Sequence, residues 1–223
     1  MTGHETKMKI YLTASQLFYD NGYSGTTVSE IIRKARTNKG SFYHHFTGKM
    51  HLGHDICMEL FADIDTCLSV LFPGIEAIEL LFLRECVFWH LFFASDNIRI
   101  FASEVFSATY FRLSTELFGA ILDLSQADLS SGDLMLIQGV ELALKGSFTS
   151  YVGKIIERLN EEELVRFYMR TWLGMYKIPA NQVDQLTEAA YDTISRLDVT
   201  NVNFRVSIQP KLMVIPSNST LQK

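Results

Sequence analysis

The stretch from Thr26 to Lys49, TTVSEIIRKARTNKGSFYHHFTGK, limits what this chain can fold into more than any other part of it. Thr27 and Glu30 have the spacing of a capping box that opens one helix, and a second short helix begins near Asn38. Cationic, hydroxyl and aromatic side chains are crowded into the same segment. The pattern is typical of a helix-turn-helix, in which the second helix enters the DNA major groove and flanking groups contact phosphates.

The helices of this head share a consistent apolar pattern. The first helix is predicted to end at Asn21-Gly22, because both residues tolerate the left-handed backbone found just after a helix. The third is anchored by Phe42 and Phe46, which lie one turn apart. The inward-facing positions of the first two helices are Ile10, Ala14, Leu17 and Phe18, then Val28, Ile31, Ile32 and Ala35. These positions predict a small helical core.

A fourth helix is predicted to begin directly after the third, with Thr47 as its N-cap. Lys49 then falls in the first turn, where a cation is unfavourable for the helix dipole. A lysine at this position is easier to explain if a phosphate lies nearby. Gly40 supports the same interpretation, because backbone N–H groups at a helix N-terminus bind phosphate when no side chain intervenes.

Net charge opposes nucleic-acid binding until it is divided along the chain. The whole chain has 20 basic and 25 acidic residues, which is a formal net charge of −5. Residues 1–51 hold seven of the basic and three of the acidic residues, a net of +4, so the remainder carries −9. This asymmetry predicts a basic head that meets a polyanion and an acidic body that does not.

The order of these motifs resembles the DNA-binding domain of TetR-family transcriptional regulators. The first helix ends in NGY, TTV and an isoleucine follow, and KGSFYHHF is followed three residues later by a lysine. The resemblance covers roughly residues 7–56. It implies an all-α homodimer with an N-terminal three-helix head and a larger C-terminal body that binds a small ligand and mediates dimerisation. We therefore expect a head over residues 1–50, a body over 51–198 and an extended arm over 199–223.

The resemblance also carries residue roles over by position. Thr27 is expected to contact phosphate at the start of the second helix, and Lys49 is expected to do so from the fourth. The residues expected on or beside the recognition helix are Lys39, Gly40, Tyr43, His44 and His45. Base preference is expected mainly from Thr37, Asn38, Lys39 and Ser41. The implied partner is double-stranded DNA with a palindromic operator.

Three positions depart from the family pattern. A small residue followed by an aliphatic one usually precedes the recognition helix, where this chain has Arg36 and Thr37. Either the turn is irregular, or Arg36 adds a contact with the DNA backbone. Met50 stands where a glutamate commonly follows the lysine, so the fourth helix loses a reciprocal cap.

The head side chains also have interpretations without DNA. Lys39 or Lys49 alone would ordinarily be a solvated surface charge, and only the ordered pattern around them favours phosphate. Tyr43 either packs in the core or reaches a phosphate with its hydroxyl. His44 and His45 are adjacent, diverge by about 100° on a helix and have no third ligand at helical spacing, so no metal is expected there.

The body begins with a long helix predicted from Thr47 to Leu71, which Pro73-Gly74 ends. Its apolar stripe comprises Leu52, Ile56, Leu60, Ile64 and Leu68. The segment from Ile75 to Ala94 is apolar on every face from Leu80 onward, which predicts a central helix surrounded by others. The polar residues within that segment need partners if they are buried.

An internal ligand cavity with aromatic walls would explain these polar groups. The candidate ligand-binding residues are Arg84, Glu85, Phe88, Trp89, His90, Phe93, Phe106, Tyr110, Tyr151 and Trp172. The alternative is that the rings fill a core and that Arg84 pairs with a nearby carboxylate. Cys86 and His90 share a helix face, but no third metal ligand accompanies them. No metal and no cofactor are expected.

Two further amphipathic helices are predicted at Asp133–Val152 and Glu162–Met175. The first contains small residues at spacings that permit close helix approach: Gly139, Ala143 and Gly146. In the family the corresponding pair packs against its two-fold mate, so a homodimer is expected. Pro179 ends the second of these helices, and Ala180–Leu197 is predicted as one more.

The tail departs from the helical pattern. Apolar and polar residues alternate strictly from Val202 to Ile208, which predicts a half-buried strand. Leu212–Ile215 follows Pro210 as a second short β-like run. We expect a small hairpin or extended arm that docks on the body or on the partner subunit, and the alternative is a flexible tail.

The remaining features bound the class of protein. No run of about 18 apolar residues and no apolar signal-peptide core are present, so a cytoplasmic protein is expected. Cys57, Cys67 and Cys86 are an odd number in no metal-ligand spacing, and no disulfide is expected. No nucleophile, base and orienting group occur at a recognisable spacing, which argues against an enzyme.

Together these features predict a ligand-responsive, homodimeric DNA-binding repressor that a small molecule releases from a palindromic operator. The alternative is a constitutive or protein-controlled DNA-binding regulator without a small-molecule ligand. The sequence does not distinguish repressor from activator, because that depends on where the operator lies relative to a promoter.

Overall fold

The structure is a computed structural model and describes residues 2–106, 115–125 and 127–211. Within these ranges the helices are α1 (Gly3–Asn21), α2 (Val28–Lys34), α3 (Lys39–His45), α4 (Lys49–Leu71), α5 (Ala77–Ala94), α6 (Asp96–Val105), α7 (Thr115–Ser125), α8 (Ser131–Ile155), α9 (Glu161–Gly174) and α10 (Ala180–Ile194). A short 3-10 helix, Ile156–Arg158, follows α8, and two antiparallel strands come last, β1 (Leu197–Val202) and β2 (Arg205–Pro210). The predicted fold class, all-α with a small β arm, is confirmed.

The head consists of α1, α2 and α3. α1 begins with a capping box formed by Thr2 and Glu5 and ends before Gly22, whose φ is 75°, where the sequence predicted its end. The predicted inward positions are buried, with Val28 and Ile32 only partly so. Phe42 and Phe46 of the third helix are buried as well. The apolar spacing therefore predicted the core of the head correctly.

The body is organised around α5. Every residue from Leu81 to Trp89 is buried, so this helix is enclosed on all faces, as predicted. It contacts α4, α6, α7, α9 and α10. Each large apolar side chain that is fully buried contributes about 1.5–3 kcal/mol relative to exposure. The predicted stripe of α4 is buried too: Leu52, Ile56, Leu60, Ile64 and Leu68.

α6 joins the head to the body. Glu104 of α6 accepts a hydrogen bond of 2.8 Å from the backbone N–H of Ser24, which lies between α1 and α2. Phe101 of α6 stacks on Phe18 of α1, and the two ring centroids are 5.9 Å apart. The corner between the first two helices therefore rests directly on the body.

β1 and β2 form a hairpin whose two-residue turn is Asn203-Phe204, with φ values of 52° and 63°. Such values are typical of the tight turns that join twisted antiparallel strands. The predicted single strand from Val202 to Ile208 is therefore wrong, because the chain reverses direction inside it. Alternation assigned Val202 and Phe204 to the same face, yet Val202 is 72% exposed and Phe204 is 3% exposed.

The end of the described chain also differs from the prediction. α10 ends at Ile194 rather than at Leu197, because Leu197 is the first residue of β1 and pairs with Pro210. The hairpin lies against α4, α5 and α10. The predicted β-like run at Leu212–Ile215 lies outside the described residues.

The two helices predicted at Asp133–Val152 and Glu162–Met175 are present as α8 and α9, with bounds close to the predicted ones, whereas α6 and α7 were not predicted. Cys57, Cys67 and Cys86 are free thiols. Of the helices that the structure describes, none combines the length and the apolar character needed to cross a lipid bilayer.

Candidate functional site

The candidate recognition helix, α3, is short, capped and exposed on one side. The side-chain oxygen of Asn38 accepts a hydrogen bond of 2.8 Å from the backbone N–H of Ser41, which caps the helix. Lys39 and Tyr43 are exposed, while Phe42 and Phe46 hold the opposite side in the core. The helix therefore presents its polar side chains outward from a fixed apolar base.

The glycine at position 40 is explained by the structure as well as by the predicted contact with phosphate. A Cβ added there would lie 3.2 Å from the side-chain oxygen of Asn38, which is tighter than ordinary van der Waals contact. A larger residue would press on the atom that caps α3. The absence of a side chain at this position therefore keeps the cap intact and leaves the helix N-terminus open.

The interpretation of Tyr43 as a core aromatic is wrong, since the side chain is 49% exposed and meets the ring of Phe42 only edge to face. His44 and His45 lie beside it, with their ring centroids 4.8 Å apart. Nowhere in the ranges 2–106, 115–125 and 127–211 do three His, Cys, Asp or Glu side chains form a group that could hold a metal ion.

Thr27 caps α2, but the predicted capping box is only half formed. The Thr27 hydroxyl oxygen accepts a hydrogen bond of 3.1 Å from the backbone N–H of Glu30. The carboxylate of Glu30 is instead paired with Lys34, at 3.8 Å. The hydroxyl hydrogen of Thr27 is not used by the cap, so it remains a donor for another group.

The turn between α2 and α3 is irregular at Arg36, whose φ is 48°. The N–H of Arg36 donates to the carbonyl of Arg33, and the N–H of Thr37 donates to that of Ile32, which is the hydrogen-bond pattern of a Schellman motif. Glycine is usual at the left-handed position of this motif, and other residues cost roughly 1–2 kcal/mol there. The turn therefore keeps an exposed guanidinium next to α3 at a cost in stability.

The predicted N-cap of α4 is wrong. Gly48, not Thr47, is the N-cap, and no side chain caps this helix. The backbone N–H of Thr47, one residue before the cap, donates to the Nδ1 atom of His51, at 3.3 Å. Met50 is exposed and contributes no cap either.

Lys49 fastens the start of α4 to the preceding part of the head. Its ammonium donates hydrogen bonds of 2.9 Å to the carbonyl of Tyr23 and 3.0 Å to that of Thr26. The same ammonium lies 4.2 Å from the ring centroid of Tyr23. These carbonyls offset the unfavourable helix dipole, so the lysine has a structural role that the sequence did not reveal.

Arg84 and Glu85 of α5 belong to a buried cluster of charges. Arg84 lies 3.5 Å from Asp65 of α4 and 3.5 Å from Glu85, and Lys145 of α8 lies 3.6 Å from the same oxygen of Glu85. These distances are longer than the roughly 2.7–2.9 Å of strong charge-assisted hydrogen bonds. Burial raises the pKa of the Asp65 carboxyl, although the nearby Arg84 lowers it. The ion pairs of this cluster are therefore longer and weaker than close charge-assisted hydrogen bonds.

Several buried polar atoms of this region have no hydrogen-bond partner within the described part of the chain. They are Oδ1 of Asp65, Nε of Arg84, Oε2 of Glu85 and, one turn along α5, Nε1 of Trp89. Leaving a buried donor or acceptor unsatisfied costs about 1–3 kcal/mol. Two of these atoms are donors and two are acceptors.

Aromatic rings flank the charges. Phe61 of α4, Phe88 of α5 and Phe106 form a group of rings with successive centroids 5.2 Å and 5.3 Å apart and interplanar angles of 33° and 24°. The Lys145 ammonium lies 5.4 Å from the centroid of Phe61 and 5.8 Å from that of Trp172. A buried charge beside ring faces is stabilised by the negative face of each ring.

The structure brings together only part of the predicted ligand-binding set. The members at or next to the charge cluster are Arg84, Glu85, Phe88, Trp89, Phe106 and Trp172. His90 instead lies 3.3 Å from Glu161 at the start of α9, and this hydrogen bond raises the pKa of His90. Tyr151 is exposed on α8, and Phe93 is half-buried. Tyr110 lies outside the described residues.

Four residues of this region were missed by sequence reasoning: Phe61, Asp65, Glu141 and Lys145. Glu141 accepts hydrogen bonds from the Trp172 indole and, at 2.8 Å, from the Tyr176 hydroxyl. Phe61 and Asp65 lie one turn apart beside the apolar stripe of α4, and Lys145 is the single charge in the sequence LALKGSFTSYVG. A lone charge in an apolar helix was the available signal, but it does not reveal which helix supplies the partner.

The head has the geometry of a DNA-binding class of domain: three short-linked helices, of which the third is capped, exposed and basic at its N-terminus. Residues 10–55 match the family described as bacterial regulatory proteins, tetR family. The head is therefore a TetR-family helix-turn-helix domain, and the family that the motif order indicated is confirmed for this segment.

Named relatives match the same segment. The HTH-type transcriptional repressor DhaR of Mycobacterium sp. (strain GP1) is 40% identical over 55 residues, which are 25% of this chain and 28% of that protein. The HTH-type transcriptional repressor NemR of Escherichia coli (strain K12) is 38% identical over 52 residues, which are 23% of this chain and 26% of that protein. The chain thus matches little more than a quarter of these relatives' length.

The crystal structure of a TetR-family transcriptional regulator from Pectobacterium atrosepticum covers more of the chain. It aligns with 87% of this chain and 94% of its own, at 15% sequence identity and a TM-score of 0.45.

Replacing Lys49 with methionine should lower the free energy of unfolding by about 1–3 kcal/mol, because two carbonyls lose a charged donor while the apolar stem is retained. The matched control is Lys39→Met, which removes an exposed charge and should change stability by less than about 0.5 kcal/mol. Urea unfolding of both variants measures the difference. Equal stabilities of the two variants would contradict the structural role of Lys49.

Proposed function

We propose that this protein is a homodimeric transcriptional repressor that binds a palindromic DNA operator and is released from it by a small molecule held in the body. The observation that carries the proposal is the exposed, N-capped α3 within a basic head that matches the tetR family over residues 10–55. Two of the relatives that match this segment, DhaR and NemR, are named transcriptional repressors.

In this proposal α3 enters the major groove with its N-terminus leading. Lys39 is exposed at that end and donates to acceptors on base edges or to a phosphate. The side-chain oxygen of Asn38 is occupied by the Ser41 cap, so its N–H₂ group is the part that faces DNA. Thr37 and Ser41 add hydroxyl groups beside these two.

Phosphate contacts come from the elements on either side of α3. Thr27 has a free hydroxyl hydrogen, since its cap uses only the oxygen. Lys49 uses two of its three N–H groups on carbonyls, which leaves one for a phosphate next to the start of α4. The other candidates are Arg36, Tyr43, His44, His45 and the backbone N–H of Gly40.

A second copy of the chain is proposed to cover one face of α8. Leu136, Val140 and Tyr151 are exposed and lie on one stripe of that helix, and Phe167 of α9 is exposed as well. A Cβ added to Gly139 would meet no described atom within 4 Å, so nothing in the described part of the subunit explains a glycine that costs about 1 kcal/mol in a helix. Close approach of another helix explains it, as it does in helix pairs generally.

Dimerisation matters because a single short recognition helix reads too few bases for a specific site. A two-fold axis places the two α3 helices in successive major grooves, about 34 Å apart, and pairs them with the halves of a palindrome. Residues 52–223, which carry a net charge of −9, are repelled by the DNA, and this favours the orientation with the heads toward the duplex.

The effector is proposed to bind at the charge cluster formed by Asp65, Arg84, Glu85 and Lys145. The unsatisfied donors and acceptors would be matched by a ligand with a polar group that both donates and accepts hydrogen bonds. The rings of Phe61 and its neighbours would suit a flat apolar part of the same ligand. Such a ligand would pull the loosely held charges of α4, α5 and α8 into new positions.

The proposed response to the effector is a shift between two populations of the dimer. α4 carries Asp65 at the cluster and Lys49 at the head, so a displacement of this helix moves α3. The effector must bind the DNA-incompetent state more tightly by about 1–3 kcal/mol to produce a typical allosteric coupling.

DNA binding is tested by selecting bound duplexes from a random pool and titrating salt. We expect a palindromic site, affinity that falls steeply with salt, and a salt slope for Lys39→Ala that is smaller by about one unit. Arg158→Ala removes an exposed charge from the body and serves as the control with an unchanged slope. If no palindrome emerges and affinity is independent of salt, the protein is not a sequence-specific DNA-binding dimer.

Dimerisation is tested with Leu136→Glu, which places a charge on the proposed interface. Because Leu136 is exposed in the subunit, the monomer should stay folded while the dimer dissociation constant rises by about a hundredfold or more. Val70→Glu is the matched control, since Val70 is exposed to a similar degree on α4. Analytical ultracentrifugation of both variants gives the answer, and a dimeric Leu136→Glu protein would rule out this face.

The effector site is tested by screening small molecules for release of the protein from the selected duplex. Glu85→Gln should raise the concentration of an active compound needed for release by about tenfold, because one buried acceptor charge is lost. His90→Gln should not, since His90 pairs with Glu161 instead. If no compound causes release, the protein is a constitutive or protein-controlled regulator.

A further inference from the structure

The geometry points to a positioning role for the C-terminal hairpin: we infer that Asn203, Phe204 and Arg205 hold one face of α1 against α4 and α6, and thereby set the orientation of the DNA-binding head. The consequence for DNA rests on the proposed function. The hold on α1 itself does not depend on that function. It is supported by the contacts of α1 with α4, with α6 and with the turn of the hairpin.

One face of α1 contacts α4 and the hairpin rather than the core of the head. Tyr11, Ser15 and Tyr19 lie four residues apart along a single stripe of the helix. The Tyr11 hydroxyl donates to the carboxylate of Glu59 on α4. The Ser15 hydroxyl lies 3.2 Å from the side-chain oxygen of Asn203 and 3.4 Å from its backbone carbonyl. The head is thus attached along two turns of α1.

Phe204 fills the junction between head and body. Its ring lies 5.2 Å from that of Tyr19 on α1, edge to face, and 4.2 Å from that of Phe101 on α6. Phe101 also stacks on Phe18, so the rings form a continuous aromatic contact from the head through the hairpin tip to the body. Only 3% of Phe204 is exposed.

The backbone of this turn shows that packing decides the conformation. Phe204 has a φ of 63°, a region that bulky residues rarely occupy and that costs of order 1–3 kcal/mol. A glycine or asparagine at this position would form the turn more easily. The phenylalanine is explained by the burial of its ring at the junction, which offsets the strain.

Arg205 ties the same turn to α4. It pairs with Glu59 and, at 3.1 Å, with Asp63, while the backbone N–H of Val206 lies 3.4 Å from the Asp63 carboxylate. Glu59 is shared between Arg205 of the hairpin and Tyr11 of α1. The Glu59 carboxylate of α4 therefore contacts both the head and the hairpin.

This arrangement gives the head a third support. α4 and α6 alone would leave α1 free to rock about their contacts, and a small rotation of α1 displaces α3 because both belong to one packed head. In a dimer that displacement changes the distance between the two recognition helices. The hairpin residues are thus positioning residues: they contact α1 and influence the affinity for DNA without touching the DNA.

The test compares Phe204→Ala and Arg205→Gln with Val202→Ala, a control at an exposed position of the same hairpin. Each full-length protein is titrated with the selected operator, with operators that have one or two base pairs added or removed between half-sites, and with a single half-site. Wild type and Val202→Ala should prefer the selected spacing. The two hairpin variants should lose at least about fivefold of that preference.

Affinity for the single half-site separates positioning from damage to the head. It should be unchanged in the hairpin variants if only orientation is lost, whereas a partly unfolded head would bind the half-site less well. Arg205→Gln removes no buried apolar group, so it keeps the test available should Phe204→Ala fail to fold. Unchanged spacing preference in a folded Arg205→Gln protein and in any folded Phe204→Ala protein would overturn the inference.

Hydrogen exchange of the free protein tests the hold on α1 without DNA. Amides between Tyr11 and Tyr19 should exchange at least about fivefold faster in Phe204→Ala and Arg205→Gln than in wild type and in Val202→Ala. If the wild type binds no duplex, the proposed function fails while this readout still decides the inference. Equal exchange in all four proteins would show that the hairpin does not hold the head.

Discussion

The enclosure of α5 is the constraint on which the rest of the structure depends. A helix that is buried on every face needs neighbours on all sides, and α4, α6, α7, α9 and α10 supply them. The same enclosure takes Arg84 and Glu85 out of water, where charges persist only with partners. Asp65 and Lys145 come from other helices to meet that need. The burial of α5 on every face, which stabilises the body, thus also brings together the charged cluster proposed as the effector site.

The head depends on the body through α1, which faces two ways. Ile10, Ala14 and Leu17 pack into the core of the head, while Tyr11, Ser15 and Tyr19 contact α4 and the hairpin. Lys49 adds a direct contact between α4 and the segment that joins α1 to α2. A small DNA-binding domain with little core of its own is therefore in extensive contact with the body, which the proposed control from the body requires.

Much of the fold and part of the site followed from local patterns. Periodic apolar residues located the helices of the head, α4 and the enclosed α5, and the motif order indicated the family of the head. The errors lay where a local pattern had two solutions. Alternation across Val202–Ile208 fits a straight strand as well as a hairpin, and only the burial of Phe204 at the junction decides between them. Thr47 has the residue type of an N-cap, but α4 begins one residue later, with Gly48 at the cap position.

The sequence by itself determined where the helices of the head and α4, α5, α8, α9 and α10 lie, which of their faces are apolar, and that a basic, capped short helix precedes an acidic body. These properties depend on neighbours within a few residues, so periodicity and capping are sufficient to reveal them. The tertiary structure decided which charges meet in the interior, that Lys49 is bound to two carbonyls, and that the hairpin reaches the head. Those contacts join residues tens to nearly two hundred positions apart, such as Ser15 and Asn203, and no local pattern encodes the partner at such a distance.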